Sequence, residues 1–164
     1  MAPAFRSLLS RLSAVVLVTV GVASCSSVSK GPGGQVSKVK TTHLIPNERY
    51  TASDPSLNFE RQYLMHGAVT AAEQMERGGN YYAILWKAND RSQPVTVRFE
   101  YRQANTGLEV RTIDQVVEDV RRNNWSKFQV TGTPYWTDGR VSAWKVTLLQ
   151  NGEVIASQQS YLWE

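Results

Sequence analysis

"RVSAWKVTLLQNGEVIASQQSYLW", residues 140–163, is the stretch that decides the fold of this 164-residue chain. Two runs rich in β-branched and aromatic residues flank "QNGE", residues 150–153. The pair Asn151-Gly152 favours a type I′ turn, because both central positions of that turn need a positive φ. The stretch therefore predicts a β-hairpin with a two-residue loop.

The predicted loop also sets which residues of the hairpin face each other. It places Leu148 opposite Ile155 and Val146 opposite Ser157. Because side chains alternate between the two faces of a strand, Trp144 joins the apolar side chains on one face. We expect this stripe to lie in the core.

The segments before the hairpin repeat the strand pattern. "VTVRFEYR", residues 95–102, alternates apolar and polar side chains, which is typical of a strand with one buried face. "YYAILWKA", residues 81–88, and "SKFQVTG", residues 126–132, are two further strands, and turn-forming residues separate the three. Short strands joined by turns predict an all-β, antiparallel β-sandwich.

The segment at residues 70–79, "TAAEQMERGG", is ambiguous. It can begin as a helix with a Thr70/Glu73 capping box and end at Gly78. Its neighbours along the chain are strands, however. Between the two readings we favour strand or extended chain over residues 62–75.

Residues 112–124, "TIDQVVEDVRRNN", are the second ambiguous segment. Four apolar residues lie at helical spacing, but the segment is also rich in β-branched side chains. A two-sheet fold needs a strand here to cover its core. We therefore favour a strand over residues 108–118.

The N-terminal segment has the composition of an export signal. Residues 1–11 contain Arg6 and Arg11 and no acid, and residues 12–22, "LSAVVLVTVGV", are apolar or small. A charged start and a short apolar run are typical of a secretory signal. The run is about half of the ~20 residues that a membrane-spanning helix needs. We predict a signal peptide over residues 1–24.

The only cysteine of the chain, Cys25, comes directly after this segment. Val22-Ala23-Ser24-Cys25 resembles the lipobox of bacterial lipoproteins, although leucine is commonest at the place of Val22. The resemblance implies that the thiolate, a strong nucleophile, takes a diacylglyceryl group as a thioether. It also implies cleavage before Cys25 and a further acyl chain, such as palmitate, on the new amino group. Membrane lipid is thus the predicted partner of Cys25.

The residue after the cysteine bears on where the protein is located. Ser26 is not aspartate, and in lipoproteins of bacteria with two membranes this implies the outer membrane rather than the inner one. The resemblance covers residues 1–25 only. It implies an exported, lipid-anchored protein of the bacterial cell envelope, with the periplasmic face of the outer membrane favoured.

The next segment looks like a linker. "SSVSKGPGGQVSKVKTT", residues 26–42, consists largely of Ser, Gly, Lys and Pro and has no apolar period. We predict the lipidated cysteine and a flexible tether over residues 25–45. The β-sandwich domain is then expected over residues 46–164.

The order of the predicted strands carries a second resemblance. "GNYYAILWKA", "VTVRFEYRQ" and the C-terminal hairpin are arranged as in the immunoglobulin-like sandwich domains of small bacterial lipoproteins. This resemblance covers residues 60–164 and implies an immunoglobulin-like fold. It implies no activity, and the Cys…Trp…Cys spacing of antibody domains is absent.

Composition and motifs argue against several function classes. Without the signal segment the chain has 16 basic and 14 acidic residues, which is too balanced to indicate nucleic acid as a partner. One cysteine and two histidines, His43 and His66, give no metal-site spacing. The chain has no G-x-S-x-G elbow and no phosphate-binding loop. We expect no cofactor, no metal and no enzymatic activity, with a small hydrolase as the least favoured alternative.

Aromatic residues supply the candidate binding site. "TPYWTDGR", residues 133–140, places Tyr135, Trp136, Asp138 and Arg140 on one loop. Flat rings beside hydrogen-bonding groups suit sugar faces and protein partners. The alternative is that the two rings plug the open end of the sandwich.

These observations give one functional hypothesis and one alternative. The first is a lipid-anchored envelope protein whose sandwich has a non-catalytic interaction or structural role, with an envelope protein as partner. The alternative is a carbohydrate- or peptidoglycan-binding module that uses the aromatic loop.

Overall fold

The computed structural model describes residues 28–46 and 55–163 of the chain. They form two four-stranded sheets in which every pairing is antiparallel, so the predicted all-β sandwich is confirmed. The strands are β1 (Ser29–Lys30), β2 (Gly34–Leu44), β3 (Gly79–Ala88), β4 (Val95–Gln103), β5 (Arg111–Val117), β6 (Asn124–Thr131), β7 (Val141–Gln150) and β8 (Glu153–Gln159). The helices are α1 (Pro55–Met65), α2 (Ala71–Arg77) and α3 (Thr133–Asp138), and a 3₁₀ turn follows at Tyr161–Trp163.

The strand order agrees with the immunoglobulin-like fold. The first sheet runs β1-β2-β3-β6 and the second runs β5-β4-β7-β8. Strands β2, β3 and β6 take the places of A, B and E, while β8, β7, β4 and β5 take those of G, F, C and C′. Helices α1 and α2 lie between β2 and β3 in the chain, where the immunoglobulin fold has a simple turn.

The core lies between the two sheets and follows the predicted alternation. Ile84 and Trp86 from β3 and Val97 and Phe99 from β4 are fully buried. Phe99 stacks on Phe128 of β6 across the sandwich, with ring centroids 5.1 Å apart. Full burial stabilises a side chain of this size by about 1.5–3 kcal/mol. These contacts hold the two sheets together.

The C-terminal hairpin has the predicted turn but a different register. Asn151 and Gly152 have φ of 53° and 83°, as a type I′ turn requires. A β-bulge between Leu148 and Leu149 then shifts the pairing by one residue, so Leu148 faces Ala156 rather than Ile155. The bulge keeps Ile155 buried, and the predicted core stripe is confirmed.

The same shift moves Val146, which faces Gln158 instead of the predicted Ser157. Val146 is fully buried, and the neighbouring Trp144 packs against the core from a half-buried position.

The predicted tether is wrong from Ser29 onward, because β1 and β2 occupy residues 29–44. The domain boundary at residue 46 is wrong for the same reason. Val36 of β2 is fully buried, and a Cβ on Gly31 would collide with the carbonyl of Ile155. Gly31 therefore allows two backbone segments to pack closely and does not indicate a flexible tether. The signal peptide, Val22 and Cys25 lie outside the described residues.

The strand or extended chain favoured over residues 62–75 is wrong, since α1 and α2 cover most of it. At Thr70 both hydrogen bonds of the capping box are present: the Glu73 amide donates to the Thr70 hydroxyl, and the Thr70 amide donates to the Glu73 carboxylate. The hydrogen bonds with Thr70, a further one from the Val69 amide and the charge of Arg77 lower the pKa of Glu73. The capping box therefore determines that this segment is helical.

The strand favoured over residues 108–118 is confirmed by β5, and the helix alternative for residues 112–124 is wrong. Ile113 faces Phe99 on β4, and Arg98 of β4 binds the carboxylate of Asp114 with two hydrogen bonds of 2.9 and 2.8 Å. Pairing with β4 outweighs the helical spacing of the apolar residues.

The sandwich has two ends with different loops. The entry end, close to Val28, carries the turns 31–33, 89–94, 118–123 and 151–152. The far end carries the loop 104–110, helix α3 and the junction between α2 and β3. No helix among residues 28–46 and 55–163 has both the length and the apolar character needed to cross a membrane.

Candidate functional site

The predicted binding residue Tyr135 lies on α3 at the far end, and it is buried. Its hydroxyl forms a hydrogen bond of 2.6 Å with Nε2 of His43, which is the second-last residue of β2. The two rings also contact each other, with centroids 5.7 Å apart. Burial raises the pKa of the Tyr135 phenol. Tyr135 thus joins α3 to the first sheet and points away from solvent.

Trp136 is the more exposed of the two rings, with 41% of its surface open. Its indole N–H donates to the carbonyl of Met75 at 2.8 Å, which docks α3 on the end of α2. The ring meets Tyr135 edge to face, with centroids 4.9 Å apart. Part of the Trp136 side chain remains exposed.

Of the two charged residues of the predicted site, Asp138 has a hydrogen bond within the fold and Arg140 acts on Tyr135 through its charge, which opposes the effect of burial on the phenol pKa. Asp138 accepts a hydrogen bond of 2.7 Å from Arg111, which also binds the side chain of Gln103. The carboxylates of Asp138 and Glu109 raise the pKa of Arg111. Arg140 is exposed and lies between Gly139 and the start of β7. The helix therefore brings Tyr135 and Trp136 into contact, while the Asp138 carboxylate is engaged by Arg111.

A different concave surface, which the sequence did not point to, lies on the outer face of the first sheet. Paired residues of β2, β3 and β6 share this face: Lys40 with Ala83 and Lys127, and Thr42 with Tyr81 and Gln129. Helix α1 lies over it and leaves a groove of about 330 Å³. We call it the helix groove; its lining includes Lys40, Tyr63, Tyr81, Ala83, Lys127 and Gln129.

One carboxylate positions α1 over the sheet. Glu60 forms an ion pair with Lys40 and also accepts a hydrogen bond of 3.4 Å from the Thr42 hydroxyl. Arg61, one residue on, donates to the carbonyl of Ile45 at 3.0 Å. These bonds attach the helix to β2 and hold the groove open on the side of β6.

The floor and rim of the helix groove differ in character. Ala83 has a small side chain between two lysines, which gives the groove its depth. The Tyr81 hydroxyl donates to the carbonyl of Arg77 at 2.6 Å, and burial raises its pKa. The Tyr63 ring on α1 is 66% exposed. The groove thus offers one ring held by a hydrogen bond, Tyr81, and one exposed ring, Tyr63, beside amide and amine donors.

Charge in the helix groove is uneven. Lys40 is neutralised by Glu60, whereas Lys127 forms no ion pair with any residue in 28–46 or 55–163. The amide of Gln129 lies two residues further along the same strand face. The groove is therefore suited to a ligand with both an apolar part and a negative or hydrogen-bond-accepting group.

The histidines lie apart. His43 contacts Tyr135, and His66 is exposed where α1 ends. Within the part of the chain that the structure describes, no three His, Cys, Asp or Glu side chains gather as metal ligands would.

We compared the chain with protein-family models, with curated proteins and with solved structures, and none matches it.

The helix groove could not be located from sequence because its two walls are far apart in the chain. One signal was present: the outward positions of "NYYAILWK" and "NWSKFQVT" carry Tyr81, Trp125 and Lys127 rather than small polar residues only. Exposed rings on a solvent face often mark a contact surface.

Proposed function

We propose that this chain is a lipid-anchored protein of the bacterial cell envelope with a non-catalytic, partner-binding sandwich. Anchoring is through an acylated Cys25, with the periplasmic face of the outer membrane as the favoured location. The lipobox-like run that ends at Cys25 supports the anchor. The helix groove is the observation that carries the binding role.

The short distance between Cys25 and the fold supports a close association with the bilayer. Val28, the first described residue, follows Cys25 by three residues, so an extended backbone spans at most about 11 Å between them. Strand β1 begins at the next residue, Ser29. An acylated cysteine therefore keeps the sandwich close to the membrane surface instead of on a long tether.

The proposed occupant of the helix groove is an extended segment of an envelope protein that carries an acidic residue. Leu64 and Ala83 give apolar walls, which suit peptide side chains. Lys127 has no acidic partner among the described residues and would pair with the segment's carboxylate. The Tyr63 ring is placed to cover the bound segment.

Site-specific photo-crosslinking in intact cells tests this role. A photoreactive phenylalanine analogue in place of Tyr63 is expected to give one defined adduct, and Lys127→Glu is expected to reduce it at least tenfold. The matched control has the same analogue at Thr112, an exposed position on β5 of the other sheet. Equal adducts at both positions, or an adduct that Lys127→Glu leaves unchanged, would contradict the proposal.

Glycan binding at the far end is the second candidate, supported by the 41% exposure of Trp136. Sugar rings stack on exposed aromatic rings through apolar C–H groups. Co-sedimentation with purified peptidoglycan distinguishes the two proposed functions. If the protein binds glycans at the far end, it is expected to co-sediment, and Trp136→Ala is expected to abolish the binding. Binding that survives this substitution rejects the aromatic loop as the site.

A further inference from the structure

The entry end carries four cationic side chains around one cavity. We call them the basic patch: Lys30, Lys87, Arg91 and Arg122. The cavity has a volume of about 470 Å³, and no acidic residue lines it. The uncharged Gln35 and Asn89 add amide groups to its wall. The patch is therefore an open concave surface of one sign of charge.

The fold assembles this patch from separate parts of the chain. Lys30 is on β1, Lys87 is near the end of β3, Arg91 is in the turn 89–94, and Arg122 is in the turn 118–123. Hydrogen bonds join these parts: Gly31 donates to the Gly34 carbonyl at 2.9 Å, and Asn89 donates to the Gly33 carbonyl at 2.9 Å. The basic patch is thus fixed by the backbone of the sandwich.

None of the four cations forms an ion pair with a residue in 28–46 or 55–163. Two acids at this end are engaged elsewhere: Asp90 accepts hydrogen bonds from the amide and hydroxyl of Ser92, and Asp119 pairs with Arg121. Glu118 and Glu153 also lie at the entry end, but neither lines the cavity. Arg98 and Arg111, by contrast, each have a carboxylate partner. Four cations without an ion-pair partner among the described residues therefore line one cavity.

The patch lies within reach of the anchoring cysteine. Lys30 follows Cys25 by five residues, a backbone length of at most about 18 Å. Cys25 is where the acyl chains enter the bilayer in the proposed function, on which this inference rests. The headgroup layer is therefore the nearest large surface to the basic patch.

We propose that the basic patch docks on anionic phospholipid headgroups and so fixes the orientation of the sandwich on the membrane. Phosphate oxygens are strong acceptors for Lys and Arg donors, and four cations in one concavity match a surface of repeated negative charge. The acyl chains hold the protein at the bilayer, and the basic patch decides which face of it meets the lipid. The far end and the opening of the helix groove then remain accessible from the aqueous side.

Lysine footprinting of the native, membrane-purified protein in lipid nanodiscs tests the docking. Discs contain phosphatidylcholine alone or with phosphatidylglycerol, and acetylation rates of single lysines are measured by mass spectrometry. Lys30 and Lys87 are expected to react about fivefold more slowly in the anionic discs, with the difference lost at high salt. Lys127, on the outer face of the first sheet, is the internal control and is expected to be unchanged.

Variants make the test specific to the patch. Arg91→Gln with Arg122→Gln is expected to abolish the protection of Lys87, whereas Arg140→Gln, an exposed arginine at the far end, is expected to preserve it. Equal rates in both disc types overturn the docking. Protection by inorganic phosphate in zwitterionic discs also overturns it and indicates a phosphate site instead. If zwitterionic discs do not retain the protein, the proposed lipid anchor is rejected. The docking is still tested in that case, because the protection of Lys30 and Lys87 is measured on anionic discs.

Discussion

The two ends of the sandwich carry similar residue types but use them differently. At the far end, charges and rings are joined to each other: Asp138 binds Arg111, and Tyr135 binds His43. At the entry end, the four cations of the basic patch have no acidic partner among the described residues. Groups that satisfy one another stabilise a fold, whereas groups without partners are available to a ligand. The buried groups of the far end are therefore engaged in internal contacts, whereas the basic patch of the entry end is available to an external surface.

The comparison predicts the largest loss of stability for a substitution of Tyr135. Tyr135→Ala removes a buried ring and its bond to His43, and is expected to lower the free energy of unfolding by about 3 kcal/mol. The matched control is Trp125→Ala on β6 toward the entry end, where the ring is 52% exposed. We expect that substitution to lower the free energy of unfolding by less than about 1 kcal/mol. Urea unfolding followed by circular dichroism measures both, and equal losses would contradict the internal role of the buried groups at the far end.

Ion pairs give the next comparison. Arg111→Gln leaves Asp138 without its cation and is expected to lower the free energy of unfolding. Arg121→Gln breaks the pair with Asp119 at the entry end, whose side chains are 77% and 78% exposed. That substitution is expected to cost less than about 0.3 kcal/mol. A larger loss for Arg121→Gln would reverse the assignment of the two ends.

The pH dependence of Tyr135 sharpens the account of the far end. Tyr135→Phe removes the hydrogen bond to His43 and is expected to cost about 1 kcal/mol at neutral pH. Because burial raises the phenol pKa in the folded state, ionisation above pH ~10 favours the unfolded wild-type chain. The stability advantage of the wild type is full below that pH and is lost above it. A difference that stays constant from pH 7 to pH 11 would contradict a buried phenol.

The smallest effect on stability is expected in the basic patch. Arg91→Gln and Arg122→Gln are expected to change the free energy of unfolding by less than about 0.5 kcal/mol each, since neither side chain has a folded-state partner among the described residues. Thermal unfolding of the lipid-free chain measures this. A loss above 1 kcal/mol for either would mean that the patch serves the fold itself.

How far the sequence predicted this molecule depends on the range of the interactions. The alternation in β4 and the Asn151-Gly152 turn are local signals, and both were read correctly. The bulge at Leu148 and Leu149 follows from packing between the sheets, so the hairpin register was missed by one residue. Local periodicity gives strands, but not their exact partners.

The tether was mispredicted because composition does not show what a glycine packs against. Gly31 is needed where β1 passes the carbonyl of Ile155, more than a hundred residues away. Both concave surfaces depend on similarly distant contacts. The helix groove needs Lys40 and Glu60 to meet, and the basic patch needs the turns that hold Arg91 and Arg122 to lie beside β1.

The central claim is that the entry end of the sandwich faces the bilayer, and site-directed spin labelling tests it most directly. The acylation that we propose would occupy the thiol of Cys25, the only cysteine, so a label would attach only to a cysteine that is introduced. The positions are Glu153→Cys in the entry-end hairpin and Leu108→Cys in the far-end loop, both exposed. With nickel-chelating headgroups in the bilayer, we predict fast relaxation of the label at position 153 and slow relaxation at position 108. Equal relaxation at the two positions, or faster relaxation at 108, would contradict the account.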